Sequence, residues 1–118
     1  MTLKEIASTM GFESLTPGLA GSGPSADVSR AHVSDLLSDV LANAPAGGVL
    51  LTIQVHMNVI AVALHAGLAA VVFTSDMKPE EAVRAKAEAE GLPLFSTAQS
   101  SFDAAGRLYA LGLRGRGA

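Results

Sequence analysis

The sequence predicts an α/β fold: a single, three-layer-like domain with a mostly parallel sheet of about four to five strands and flanking helices. The main observation is the stretch Val49–Ser75, which reads as strand, turn, helix and strand. Two apolar runs, Val49–Ile53 and Leu68–Phe73, flank an apolar segment of helical length. Strand and helix patterns go on alternating after it, which implies parallel strands joined by right-handed crossovers. The length of 118 residues fits one domain.

The first half of the chain is less regular. It is predicted to contain a helix capped by Thr2, a short strand, a Gly/Ser/Pro-rich surface loop, a second strand and a second helix. These elements are placed at Leu3–Met10, Phe12–Leu15, Leu19–Ala26, Val28–Val33 and Ser34 to about Asn43.

The second helix has a plausible cap and a clear apolar face. Ser34 is the expected N-cap, and Asp35 suits the positive end of the helix dipole. Asp35 and Asp39 then lie four residues apart on one helix face, an arrangement typical of a solvated face. The face predicted to be buried consists of Leu36, Leu37, Val40 and Leu41.

After Ser75, the pattern predicts a helix that begins near Pro79 and stops at Gly91, with an alanine-rich packing face (Ala82, Ala85, Ala89) plus Val83. A short strand, Leu92–Ser96, and a last helix from Ser100 or Ser101 to about Leu111 follow. The last helix is expected to bury Phe102, Ala105, Leu108 and Tyr109. The domain is expected to span 1–113, and 114–118 to be a frayed tail.

Composition narrows the function classes. The net charge of −3 and the scattered basic residues argue against nucleic acid as a partner. The absence of cysteine excludes disulfides and thiolate metal sites and fits a cytoplasmic location. No signal peptide is visible, and the polar centre of Val49–Ser75 argues against a membrane span. Hydrophobic residues at 49% against 16% charged indicate an oligomer or a subunit of a larger assembly.

Polar side chains follow the ends of three predicted strands. Because the carboxyl ends of parallel strands meet at one edge of a sheet, these groups are expected to be neighbours, each beside a helix N-terminus that favours an anion. The predicted ligand is a nucleotide or another small anionic molecule. The alternative is that the same residues are helix caps and turn residues with no ligand. The candidate ligand-binding residues are Gln54, His56, Asn58, Thr74, Ser75 and Thr97.

His56 is the best single candidate for proton chemistry, because histidine titrates near neutrality. A neutral histidine hydrogen-bonded near a helix start is the alternative. His65 lies nine residues later, roughly 180° around a helix, so the two cannot share a metal ion. His32 has no partner visible in the sequence, and the chain lacks a nucleophile motif. No catalytic residue, metal or cofactor is therefore predicted.

The helix predicted at Met57–Ala66 is apolar on every side, so every side requires cover. A domain of this size has little left to cover the side that faces away from the sheet. This predicts a homodimer, or docking to a larger protein partner, through this helix or the second helix. Burial by the two flanking helices is the alternative. The candidate interface residues are Leu36, Leu37, Val40, Met57, Ile60 and Leu64.

Three segments, VSDLLSDVLANA at Val33–Ala44, LTIQVHMNVIAVA at Leu51–Ala63 and FSTAQSSFDAAGRLYALGL at Phe95–Leu113, resemble the DRTGG domain. The resemblance is to small stand-alone members of that family, which is related to the N-terminal domain of HPr kinase/phosphorylase. The motif that gives the family its name is eroded. Its positions fall on Ser25-Ala26, Ser29 and Arg30-Ala31, of which only the hydroxyl of Ser29 is kept.

The resemblance implies an α/β fold, frequent dimerisation and a regulatory or accessory role rather than catalysis. It also implies association with a redox or hydrogenase system, because stand-alone members are often encoded beside such genes. The predicted function is therefore a non-catalytic, dimeric regulatory domain that senses a small anion or nucleotide. The alternatives are a scaffold subunit that docks a larger partner and a small enzyme with His56 as general base.

Overall fold

In the computed structural model, which describes residues 1–19 and 27–117, a five-stranded sheet lies between two layers of helices. The strands run in the spatial order β1-β5-β4-β3-β2. Strands β2 to β5 are mutually parallel, and β1 is added antiparallel to β5. The predicted fold class is confirmed. Most of the predicted loop Leu19–Ala26 lies outside the described residues.

Each predicted element has a counterpart, although the strands are shorter than predicted. The strands are β1 (Glu13–Ser14), β2 (Ala31–Val33), β3 (Val49–Thr52), β4 (Ala70–Phe73) and β5 (Leu94–Ser96). The helices are α1 (Leu3–Met10), α2 (Leu37–Asn43), α3 (Asn58–Ala66), α4 (Glu81–Ala89) and α5 (Ser101–Ala110), and a 3₁₀ turn covers Pro17–Leu19. None of these helices is long and apolar enough to cross a membrane within the described part of the chain.

The central strands are buried on both faces, and successive side chains alternate between two apolar cores. Leu50 and Val71 point into the core covered by α2, α3 and α4. Leu51 and Val72 point into the core covered by α1 and α5. The helices that follow β2, β3 and β4 therefore share one face of the sheet, and the first and last helices share the other.

Helix α1 begins and ends as its sequence predicts. The Thr2 hydroxyl accepts a hydrogen bond from the Glu5 backbone N–H, and the Glu5 carboxylate accepts one from the Thr2 N–H. This reciprocal pair is a capping box, which satisfies two N–H groups that the helix itself leaves unpaired. Gly11 ends the helix with a φ of +70°, a conformation that costs glycine little.

Helix α2 differs from its prediction at its start. It begins at Leu37, and Ser34 does not cap it: the Ser34 hydroxyl accepts the Leu36 N–H in the preceding turn. Asp35 also precedes the helix, so it does not share a helix face with Asp39. Of the predicted buried face, only Val40 is fully buried, and Leu36 is 64% exposed. Leu41 is exposed as well.

Helices α4 and α5 bury other side chains than predicted. In α4 the buried residues are Val83 and Ala87, whereas Ala82, Ala85 and Ala89 are exposed. In α5 the cap is Ser100, as predicted, and its hydroxyl accepts the Asp103 N–H. Ala104 and Leu108 face the core, while Phe102 is 87% exposed and Tyr109 60% exposed. The prediction that these two aromatic residues are buried is wrong.

Arg114, the residue that follows Leu113, pairs with the edge of the sheet. The Arg114 N–H donates to the Ser29 carbonyl, and the Ala31 N–H donates to the Arg114 carbonyl. The Arg114 guanidinium also lies 3.7 Å from the centre of the Tyr109 ring. These contacts join the segment after α5 to the outer edge of β2.

His32, which had no visible partner in the sequence, bonds to Asp39 across β2 and α2. Its Nε2 lies 2.8 Å from the Asp39 carboxylate. The other carboxylate oxygen accepts a 2.8 Å hydrogen bond from the Asn43 side chain. Hydrogen bonds from Asn43, His32 and Ser34, in that order of importance, lower the pKa of Asp39 from 3.8 to about 2.

Asp39→Asn is expected to change how stability depends on acid. A carboxyl whose pKa is lowered by folding stabilises the fold above its ordinary pKa and loses this effect as the pH falls towards the lowered value. The unfolding midpoints of wild type and Asp39→Asn in urea should therefore converge as the pH falls from about 4 to 2. Asn43→Ala, which removes the largest contribution, should move the acid loss to higher pH. Parallel curves for wild type and Asp39→Asn would contradict the assignment.

The turn after β4 is the least relaxed part of the described backbone. Ser75 and Asp76 have φ angles of +56° and +59°, in the left-handed region that L-residues seldom adopt. Two hydrogen bonds hold the turn: the Ser75 N–H donates to the Gln99 carbonyl and the Asp76 N–H to the Thr97 carbonyl. Pairing with the loop after β5 therefore holds this turn in place.

Ser75→Gly is expected to stabilise the protein by about 1 kcal/mol, because glycine adopts the left-handed conformation without strain. Part of this gain is lost because glycine also increases the conformational entropy of the unfolded chain. Chemical denaturation measures the change. Ser8→Gly, at an exposed position inside α1, is the matched control and should destabilise by about 0.5–1 kcal/mol. The same sign for both variants would show that the turn is not strained.

Candidate functional site

The candidate site is the edge of the sheet at which β2, β3, β4 and β5 end. All four strands run in the same direction, so the loops that follow them emerge side by side. The six candidate ligand-binding residues lie in three of these loops or at their borders. Their hydrogen bonds divide them into an outward-facing group and a bracing group.

Asp35 ties the loop after β2 to the end of β3. One of its carboxylate oxygens accepts both the Thr52 hydroxyl, at 2.9 Å, and the Ile53 backbone N–H, at 2.8 Å. The Thr52 hydroxyl in turn accepts the Gln54 N–H at 3.0 Å. The sequence indicated a cap role for Asp35, and no local signal pointed to these partners 17 and 18 residues away.

The outward-facing group is Gln54, His56 and Asn58, each linked to the next. The Gln54 side-chain oxygen accepts the His56 N–H at 3.4 Å, and His56 Nδ1 accepts the Asn58 N–H at 3.0 Å. His56 and Asn58 are exposed, and Gln54 is half-buried. The Gln54 and His56 side chains are thus each held by the backbone N–H of the residue two positions on, while the group faces solvent.

The bond at Nδ1 determines which hydrogen the imidazole can offer. A ring nitrogen that accepts an N–H carries no hydrogen itself, so Nε2 carries it in the neutral ring. Nε2 is therefore a donor, on the side of the ring away from the Asn58 N–H. The lone pair needed to take up a proton is already used at Nδ1.

The bracing group is Thr74, Ser75 and Thr97, together with Gln99. The Thr74 and Ser101 hydroxyls lie 2.5 Å apart, and the Thr97 hydroxyl accepts the backbone and side-chain N–H groups of Gln99. Thr74 and Thr97 are buried, whereas Ser75 is exposed in the strained turn. The two threonine hydroxyls thus bond within the protein: that of Thr74 links the loop after β4 to the start of α5, and that of Thr97 bonds within the loop after β5.

Two basic side chains, Arg107 and Lys78, make contacts near β5. Arg107 donates to the Gln99 side-chain oxygen at 2.8 Å, and the ammonium group of Lys78 lies 3.0 Å from the Glu13 carboxylate. Ser96 donates to the same glutamate, and with Lys78 it lowers the Glu13 pKa. Lys78 contributes more than Ser96. Sequence analysis had not singled out these partners.

The candidate interface residues fall into two classes. Val40 and Ile60 are 0% and 1% exposed and belong to the core under α2, α3 and α4, so the interface role predicted for them does not fit their burial. Leu36, Met57 and Leu64 are exposed, and Leu37 is half-buried. Helix α3 itself starts at Asn58, and α2 and α4 both contact it.

One cavity of the structure lies apart from this edge, and the described part of the chain offers no cluster of metal ligands. A cavity of about 730 Å³ lies between the 3₁₀ turn and α4, lined by Leu15, Arg84 and Glu88 among others, away from the candidate residues. Within residues 1–19 and 27–117, no three histidine, aspartate or glutamate side chains are grouped so that they could hold a metal ion. The candidate site is an open surface of fixed polar groups.

Comparison with known proteins relates part of the chain to a known domain family. The family model of the DRTGG domain matches residues 56–111, which begin at His56 and include α3, β4, α4, β5 and α5. The matched part begins after the eroded motif. A comparison with curated proteins finds no match.

A similar solved structure is the crystal structure of the CBS and DRTGG domains of the regulatory region of Clostridium perfringens pyrophosphatase, complexed with its activator diadenosine tetraphosphate. The likeness has a TM-score of 0.71 at 16% sequence identity and covers 95% of this chain and 47% of that one. This chain thus spans about half the length of that structure, and at this identity the likeness concerns the fold. Residues 56–111 thus match the DRTGG domain, and nearly the whole chain shares its fold with a structure that contains CBS and DRTGG domains.

Proposed function

We propose that this chain is a non-catalytic regulatory domain that senses a small anionic ligand, a nucleotide or another phosphorylated metabolite, at Gln54, His56 and Asn58. The observation that carries the proposal is the hydrogen bond from the Asn58 N–H to His56 Nδ1. It leaves the Nε2 hydrogen as a donor in the same loop that carries the Gln54 and Asn58 side-chain amides. These donors lie at the start of α3, where the helix dipole favours negative charge.

The choice of ligand class is supported by the similar structure. There, diadenosine tetraphosphate is the activator of a pyrophosphatase whose regulatory region contains a DRTGG domain. Adenine nucleotides are therefore the first ligands to test on this chain. Inorganic phosphate tests whether the phosphate groups alone suffice.

Binding fits the geometry of His56 better than proton transfer does. A general base needs an unoccupied lone pair that faces the substrate. In His56 the lone pair is at Nδ1 and faces the Asn58 N–H, so the ring offers a hydrogen to a ligand and does not remove one. This favours a regulatory role over the alternative of a small enzyme with His56 as base.

The proposal includes three further points from the sequence: a homodimer, a cytoplasmic location and service to a redox or hydrogenase system. The homodimer is consistent with the large apolar side chains that the described surface leaves exposed, Leu36 and Phe102 among them. A gene position beside electron-transfer genes would support the redox association.

Loss of the His56 donor is expected to weaken ligand binding about tenfold or more, because a hydrogen bond to a charged group contributes about 1.5–3 kcal/mol. The measurement is titration calorimetry of wild type and His56→Ala with adenine nucleotides and diadenosine tetraphosphate. His56→Asn is the second variant. Its side-chain oxygen can still accept the N–H two residues on, so the turn is kept. Its NH₂ group reaches less far from the backbone than His Nε2 does.

His65→Ala is the matched control, because His65 is an exposed histidine near the other end of α3. It should bind as wild type does. Equal affinity of wild type and His56→Ala would move the site away from His56. Ligand at 100 Kd adds about 2.7 kcal/mol to the free energy of unfolding, so binding should be detectable. A wild-type protein that shows no binding of adenine nucleotides, diadenosine tetraphosphate or phosphate would count against sensing altogether.

A second candidate function is docking of a larger protein. The observation in its favour is a set of exposed leucines: Leu36 just before α2, Leu41 in α2 and Leu64 in α3. Helices α2 and α3 are in contact with each other. If this surface binds a partner, the protein purified from its own host should co-elute with it. The double variant Leu36→Ser/Leu64→Ser should then lose the partner, whereas Phe102→Ser on α5 should keep it. Equal recovery with both variants would exclude this surface.

A further inference from the structure

The outer face of α5 carries the most exposed large apolar side chain of the described residues. Phe102 is 87% exposed, the highest value among the exposed large hydrophobic side chains, and Tyr109 on the same helix is 60% exposed. Ala104 and Leu108 are the residues that α5 buries. At about 100° per residue, Gly106 then points directly away from the sheet, with both aromatic side chains on one flank of it.

Gly106 has no explanation within the domain. Glycine inside a helix is less favourable than alanine, and a Cβ built at Gly106 would meet no heavy atom within 4 Å. Gly11, by contrast, has a positive φ at a helix end, where glycine is favoured. A neighbour that approaches the helix backbone closely from outside would account for glycine at this position.

The surface around Gly106 is self-complementary. A groove of about 510 Å³ runs along it, lined by Gln99, Phe102, Asp103, Gly106, Arg107 and Ala110. Asp103 and Arg107 lie on one flank of Gly106, and Phe102 and Tyr109 on the other. When two antiparallel copies of α5 cross at Gly106, a two-fold axis brings equivalent flanks together. Asp103 then faces Arg107 of the second copy, and Phe102 faces Tyr109 of the second copy.

We propose that α5 is the contact helix of a two-fold homodimer, in which two copies of α5 cross antiparallel with Gly106 against Gly106. The occupant of the groove is a second copy because the face carries one negative and one positive group, and the two-fold axis brings these together in two equivalent pairs. Asp103 makes no ion pair within its own described chain, so its carboxylate is available for this contact. The inference rests on the dimer in the proposed function and not on the ligand site.

Gly106→Ala gives a test with two opposite signs. The methyl group should raise the thermal midpoint at protein concentrations where the chain is monomeric, since alanine favours the helix. It should also raise the dimer dissociation constant about tenfold or more, since it separates the two helices; sedimentation velocity over a concentration series measures this. Misfolding cannot produce both changes at once.

Charge reversal provides the second arm. Asp103→Arg should weaken the dimer, and the double variant Asp103→Arg/Arg107→Asp should restore it, because each copy again presents opposite charges to the other. Phe102→Ser should dissociate the dimer, and its matched control Leu36→Ser, an exposed residue before α2, should not. Failure of the double variant to recover would overturn the proposed pairing.

The outcomes separate this inference from the proposed function. A dimer that resists every α5 variant but dissociates in Leu36→Ser/Leu64→Ser would overturn the α5 contact and leave the dimer standing. A wild-type chain that is monomeric at all concentrations would overturn both the α5 contact and the dimer. Ligand titration of the same wild-type sample tests the sensing role independently of either result.

Discussion

The structure depends on one constraint: both faces of the central parallel strands are buried. Every residue of β3 and β4 is inaccessible to water, so their backbone groups must pair with neighbouring strands and their side chains must fill two cores. Parallel strands end at one edge, and polar residues follow the apolar run of each strand there. Because Thr52 and Thr74 are still buried at that point, their hydroxyls bond to protein groups, Asp35 and Ser101.

The same constraint separates the bracing residues from those that can meet a ligand. The threonines at the strand ends lie inside, whereas Gln54, His56 and Asn58 follow further along the loop and reach solvent. The family match begins at His56. Where the name-giving motif is eroded, the described backbone from Ser29 to Ala31 pairs with Arg114 instead. His56 and Asn58 thus lie within the matched part of the chain, and the eroded motif lies before it.

Much of the fold could be predicted because its signals are local. The capping box of α1, the apolar runs of β3 and β4 and the Ser100 cap of α5 each lie within a few residues of the feature that they specify. The failures have a common cause. Ser34 and Asp35 look like a helix start, but Asp35 has better partners in Thr52 and Ile53, which only the sheet brings near it. In the same way His32 and Asp39 meet because β2 and α2 lie against each other.

The sequence by itself determined the α/β class, the order of the elements and the edge at which polar groups collect, because hydrophobic period and strand direction follow from neighbouring residues. Only the tertiary structure decided which polar groups face outward and which face of α5 is covered. The reason is that burial depends on elements far apart in the chain. Phe102 and Tyr109 have the apolar character of core residues, yet the core already holds Ala104 and Leu108, and the aromatic side chains are left on the surface.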